Sequence, residues 1–85
     1  MEKIVVYTQP NCRSSDKLKQ LLNSRKVSFL EKDISHHVLF KREMIERTGG
    51  RSATPQVFCG REHILDIAKF VESFASAPRK LNKAA

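Results

Sequence analysis

The sequence predicts an α/β fold: a four-stranded mixed sheet with helices on both faces. Three observations carry this. Short β-branched and aromatic runs alternate with stretches whose apolar residues recur at helical spacing. The order of these segments is β-α-β, then α, then β-β-α. Glycines fall where the chain has to stop or reverse, at Gly49-Gly50 and at Gly60.

Ile4-Val5-Val6-Tyr7 is a compact apolar run that reads as a buried first strand. Leu18, Leu21 and Leu22 then fall at helical spacing with Lys17, Lys19 and Gln20 between them, which predicts an amphipathic helix over about residues 12–25. Val27, Phe29 and Leu30 open a second short strand that ends near Lys32-Asp33. A second helix is predicted over about residues 36–48, with Val38, Phe40, Met44 and Ile45 as its apolar positions and Gly49-Gly50 as its stop.

Pro55 to Cys59 and Gly60 to Ile64 form a hairpin with glycine at the turn. Ile67, Phe70, Val71 and Phe74 mark a last helix, capped at its start by Asp66. A strand, helix and strand make one crossover unit with a parallel pair, and the hairpin adds antiparallel strands. This is the plan of a thioredoxin-like fold. The expected organisation is one domain over residues 1–76, followed by a basic tail over 77–85, frayed from Pro78 onward.

At 85 residues the chain is near the size where one core just suffices. Two cysteines are too few for a disulfide framework, so packed apolar faces must supply that core. No apolar stretch is long enough to span a bilayer, and Met1-Glu2-Lys3 leads straight into the first strand without a signal-peptide layout. The expected location is therefore cytoplasmic, with no membrane partner. The formal net charge is +7, from 16 Lys plus Arg against 9 Asp plus Glu. The basic residues are scattered, and Arg79, Lys80 and Lys83 lie in the tail, so a nucleic-acid partner is not expected. A small dianionic thiol substrate would suit the same charge.

Cys12 stands at the head of the first predicted helix. The first turn leaves N–H groups unpaired and carries partial positive charge, which lowers a thiol pKa and favours the nucleophilic thiolate. Arg13 adds positive charge next door, and Ser15, one turn further on, offers a hydroxyl to the sulfur. The alternative is a cysteine that merely packs; Pro10-Asn11 upstream reads as a turn rather than a core position.

The segment VVYTQPNCRSS resembles the glutaredoxin active-site stretch, strand-Tyr-Thr-x-Pro-x-Cys-x-x-Cys, with serine in the last place. REMIERTGGRSATPQVFCGREHI resembles the second half of the same family, and together the likeness covers roughly residues 3–74. It implies a glutathione-dependent thiol–disulfide oxidoreductase with glutathione as co-substrate. Cys12 would be the nucleophile, assisted by Arg13 and Ser15, and the peptide bond before Pro55 would be cis. A peptide-like substrate would pair with the Thr54 backbone as an added strand while its sulfur meets Cys12. The implied glutathione contacts are Tyr7, Gln9, Ser14, Arg42, Thr54, Pro55, Asp66 and Ile67. Arg42 matches a position that meets the glycine carboxylate in relatives, with a solvated surface charge as the plain alternative. Asp66 with the helix amides would receive the γ-glutamyl end, and the alternative is a simple helix cap.

The chain departs from the family pattern in three places. Gln9 stands where lysine is usual, HILDIAKF lacks the usual Gly-Gly pair, and Ser15 replaces the second cysteine. Because Ser15 closes no disulfide, Cys12 would work alone, as in monothiol enzymes, on glutathionylated or disulfide-bonded proteins and as a monomer rather than a dimer. Monothiol relatives that carry a [2Fe-2S] cluster usually read Cys-Gly-Phe-Ser, which Arg13-Ser14 does not match, so cluster binding is the lesser option and no metal ligands are assigned. His36-His37 are adjacent rather than spaced along one helix face, which argues against a metal site there. Cys59 lies about 13 Å along its strand from Pro55, beyond the roughly 7 Å between Cα atoms that a disulfide allows, so it reads as structural. Two other readings stand beside the enzyme: a non-catalytic thioredoxin-fold adaptor or cluster carrier, and an arsenate-reductase-like enzyme, whose relatives carry an inserted helical region absent here.

Overall fold

The computed structural model describes residues 3–74 of the 85. The basic tail expected over 77–85, with fraying from Pro78 onward, lies outside the described residues. Strand β1 (Ile4–Thr8) is followed by helix α1 (Arg13–Ser24), strand β2 (Leu30–Asp33) and helix α2 (Val38–Arg47). Strands β3 (Gln56–Cys59) and β4 (Glu62–Ile64) come next, and residues 67–74 are helical, here α3. The sheet order is β2-β1-β3-β4, with β1 parallel to β2 and antiparallel to β3, and β3 antiparallel to β4. This is the mixed four-stranded sheet that the segment order predicts.

Strand β1 is flanked by strands on both edges and by helices on both faces, so all five of its residues are buried. A strand covered on both sides reads as a continuous apolar run rather than an alternating one. Its side chains nonetheless divide between two cores. Ile4 and Val6 pack with Leu18 and Leu22 of α1, Val57 of β3 and Val71 of α3. Val5 and Tyr7 pack on the other side with Ile34, Phe58 and Met44 of α2. Helices α1 and α3 therefore cover one face and α2 the other.

Several apolar positions fall differently from expectation, each for a physical reason. Leu21 is partly exposed while Leu18 and Leu22 are buried, because the face of α1 turned to the sheet is only one stripe wide. Strand β2 starts at Leu30, and Val27 and Phe29 reach the core from the loop before it. Helix α2 starts at Val38 rather than at residue 36, and Val38 is 79% exposed; of its first turn Phe40 packs against the core, and Met44 is the buried residue of the helix. The helix ends as expected, with Gly50 at φ +111° and its N–H donating to the Ile45 carbonyl at 2.8 Å. Asp66 caps α3: its carboxylate accepts the Lys69 N–H at 3.1 Å and its carbonyl the Phe70 N–H at 3.1 Å.

The contrast between Leu22 and Leu21 is testable. Leu22 has no exposed surface, so Leu22→Ala should cost about 2–5 kcal/mol in urea unfolding, whereas Leu21→Ala should stay within about 1 kcal/mol. Equal losses would mean that α1 presents a different face to the sheet.

Candidate active site

The site is built where β1 ends. Gln9 and Pro10 are exposed, and Asn11 takes φ +59°, a left-handed conformation that asparagine tolerates better than most residues. This turn delivers Cys12 to the N-cap of α1 in extended conformation (φ −113°, ψ 107°), where its carbonyl accepts the Asp16 N–H at 3.0 Å. The half-exposed sulfur is thus left beside the free N–H groups of the first turn.

The antiparallel register of β1 with β3 supplies the other wall. Tyr7 stands opposite Gln56, so Thr54-Pro55, just before β3, meets the loop just after β1. The Thr54–Pro55 bond is cis. The Thr54 hydroxyl donates to the Cys12 sulfur at 3.3 Å, and the Cys12 thiol lies 3.7 Å from the Thr54 carbonyl.

These contacts hold the Cys12 pKa below the ordinary thiol value. The largest cause is the Ser15 hydroxyl, followed by the Thr54 hydroxyl and the backbone N–H of Ser15, with a smaller contribution from the Ser14 N–H; desolvation opposes them. None of these causes involves Arg13, which is exposed at the first helical position. Ser15 is wholly buried, and its Oγ makes no hydrogen bond of ordinary geometry. A hydroxyl beside a sulfur favours the thiolate over the thiol, since the anion accepts far more strongly.

The structure thus brings Cys12, Ser14, Ser15 and Thr54 together, with Pro55 adjacent. Gln9, Arg42 and Asp66 are exposed, and Ile67 is half-buried with its side chain packed against the α1-side core. Among the described residues none of these four shares a hydrogen bond or ion pair with Cys12. Tyr7 has no exposed surface. Its side chain points to α2, where the hydroxyl donates to Glu43 and accepts from Arg47 Nη1 at 3.0 Å, while Lys32 donates to Glu43 at 2.6 Å. Burial and the bond to Glu43 push the Tyr7 pKa up; Lys32 and Tyr7 hold that of Glu43 down. Sequence reading missed this cluster, although the alternation along β1 already places Tyr7 on the face away from Val6.

Cys12 and Cys59 are both free thiols. Cys59 pairs with Ile4, at the start of β1, whereas Cys12 follows its end; four residues of strand, about 13 Å, lie between those levels. Among the described residues no group of three or more His, Cys, Asp or Glu side chains is placed to hold a metal ion, and no helix is long and apolar enough to cross a membrane. A surface groove lined by Asn23, Lys26, Val27, Ser28, Phe29 and Glu31 lies at the other end of α1 from Cys12.

Comparison with known proteins agrees with this geometry. The glutaredoxin family model matches residues 4–64. Glutaredoxin 3 of Escherichia coli (strain K12) is 38% identical over 64 residues, which is 75% of this chain and 76% of that protein. The solution structure of glutaredoxin from Brucella melitensis has a TM-score of 0.66 at 33% identity, over 86% of this chain and 80% of that one. The buckwheat glutaredoxin–glutathione complex has the same fold, with a TM-score of 0.67 at 18% identity, over 88% of this chain and 70% of the other.

Proposed function

This chain belongs to the glutaredoxin family and is a glutaredoxin-type thiol–disulfide oxidoreductase, and we propose that it reduces glutathione mixed disulfides through Cys12 alone. The observation that carries this reading is the sulfur at the head of α1, with the Thr54 hydroxyl donating to it and its pKa held down. A sulfur so placed is anionic at a pH where an ordinary thiol is not.

The cycle balances with one cysteine. The Cys12 thiolate attacks the glutathione sulfur of a glutathionylated protein; the protein–glutathione disulfide breaks, and the protein thiolate leaves and takes up a proton. Cys12 is then disulfide-bonded to glutathione. A second glutathione, as thiolate, attacks the glutathione sulfur of that adduct, which releases oxidised glutathione and returns the Cys12 thiolate. The net change is one free glutathione thiol consumed and one protein thiol released, the other half of the oxidised glutathione coming from the mixed disulfide, so no metal or cluster is needed. The Ser14 and Ser15 N–H groups and the Ser15 and Thr54 hydroxyls stabilise Cys12 as attacking and as leaving thiolate.

Glutathione is held by groups around this sulfur. The Thr54 backbone, ahead of cis-Pro55, pairs with the cysteinyl part as an added strand. The first amides of α3, with Asp66 and Ile67, receive the γ-glutamyl carboxylate; the Asp66 side chain is already engaged as the cap, so its share is to fix the helix end. Arg42 and Gln9, both exposed, serve the glycine carboxylate. The buckwheat relative, solved with glutathione, supports this class of ligand. The cytoplasm, where glutathione keeps thiols reduced, is the compartment proposed, with glutathionylated or disulfide-bonded proteins as partners and a monomer as the working form.

The test is turnover of a glutathionylated peptide by reduced glutathione, coupled to regeneration of the oxidised product and followed against pH. Turnover should be present at neutral pH, and the first step alone, transfer of glutathione from the peptide to Cys12 before reduced glutathione is added, should persist on the acid side of the ordinary thiol range and be lost as pH falls through the lowered Cys12 pKa. No turnover at neutral pH would overturn the reading.

A further inference from the structure

A second set of contacts reaches the active-site loop from the far edge of the sheet. His63 on β4 stands opposite Phe58 on β3, so Gln56, two residues before Phe58, is its diagonal neighbour on the same face. His63 Nε2 lies 2.8 Å from Gln56 Oε1, and Gln56 Nε2 donates to the Ala53 carbonyl at 2.9 Å. Ala53 precedes Thr54, whose hydroxyl and carbonyl both meet the Cys12 sulfur.

Donor chemistry fixes the direction of this chain of contacts. The Ala53 carbonyl can only accept, so the Gln56 amide nitrogen must face it, which leaves the amide oxygen toward His63. That oxygen can only accept, so His63 donates from Nε2–H. The imidazole is held for the purpose, stacked on the Phe58 ring at 4.8 Å between centroids and 16° between planes. The same Phe58 ring carries the Arg47 guanidinium at 3.9 Å. Gln56 is buried, so without His63 its amide oxygen would be left without a partner and its hold on Ala53 would loosen.

We propose that His63 is a positioning residue for the attacking sulfur: through Gln56 it fixes the Ala53-Thr54 backbone and so keeps the Thr54 hydroxyl on Cys12. The proposal rests on Cys12 as the nucleophile. Nothing in it requires His63 to touch substrate or to change charge, since Nε2–H donates in both the neutral and the protonated ring. Partial burial of His63, then the charges of Arg51 and Arg47, favour the neutral ring.

The experiment follows alkylation of Cys12 by iodoacetamide against pH in a Cys59→Ser background. His63→Leu removes the donor but keeps an apolar contact for Phe58. It should move the midpoint of the Cys12 profile upward by about half a unit and slow alkylation on the acid limb about threefold. His63→Gln, whose amide nitrogen can stand near the position of Nε2, should restore both. A midpoint unchanged in a folded His63→Leu protein overturns the proposal, as does equal loss in both variants. Nitrogen-15 shifts of the imidazole in the parent protein give a check that does not depend on a variant folding. A neutral ring protonated at Nε2 supports the relay, and one protonated at Nδ1 overturns it. An ordinary thiol midpoint for Cys12 in the parent, before any change at His63, would instead remove the reading of Cys12 and the proposal with it.

Discussion

Cys12→Ser should reduce glutathione-coupled disulfide reduction to the uncatalysed background, while Cys59→Ser should keep most of it. A serine hydroxyl stays protonated near neutral pH and forms no disulfide, so every donor arranged around residue 12 loses the anion it serves. Cys59 has none of those donors. It sits at the end of β3, paired with Ile4 and Glu62 and packed against the α1-side core. Its replacement should appear as a stability loss of about 1 kcal/mol rather than as lost turnover. Rates of both variants on the glutathionylated peptide, beside their urea midpoints, separate the two roles. Comparable loss of turnover in both variants, with both folded, would mean that the two sulfurs act together and that the sheet register misplaces one of them.

Which parts of this molecule could be read from sequence follows from how each residue meets its partners. Residues 4–7 and 13–24 are legible because their partners lie on both sides or along one stripe, and the apolar pattern records that directly. Strand β2 is harder. Its residues Leu30-Glu31-Lys32-Asp33 carry little buried apolar surface, and much of its docking is polar: Glu31 accepts from Thr8 at 2.7 Å and from Lys19 at 2.9 Å. Such contacts leave no periodic trace. The meeting of Cys12 and Thr54, 42 residues apart, is invisible to local pattern and is implied only by the family's Thr-Pro signature. The link from His63 through Gln56 depends on hairpin register and could not be read at all. The alternation of β1 does turn Tyr7 toward α2, where its hydroxyl meets Glu43.

The second large effect concerns Ser15. Oxidised glutathione should convert the parent protein to a stable species carrying one glutathione on Cys12, seen as a single mass addition that a reductant removes. No second thiol stands one turn along α1 to displace it, and Cys59 lies at the opposite end of β1. Ser15→Cys should change that outcome. Residues three apart on a first helical turn are neighbours, and Ser15 is already buried beside the sulfur, so a thiol there can attack the Cys12–glutathione disulfide and expel glutathione. The adduct should become transient, an internal disulfide should accumulate, and activity toward protein disulfides should appear. Ser15→Ala isolates the other half of the role. It forms no disulfide and removes the largest single contribution to the lowered Cys12 pKa, so its adduct should remain stable while attack on the acid side of neutrality slows. If the Ser15→Cys protein still accumulates the glutathione adduct, residue 15 does not face the sulfur, and the hydroxyl cannot be the donor that holds the thiolate.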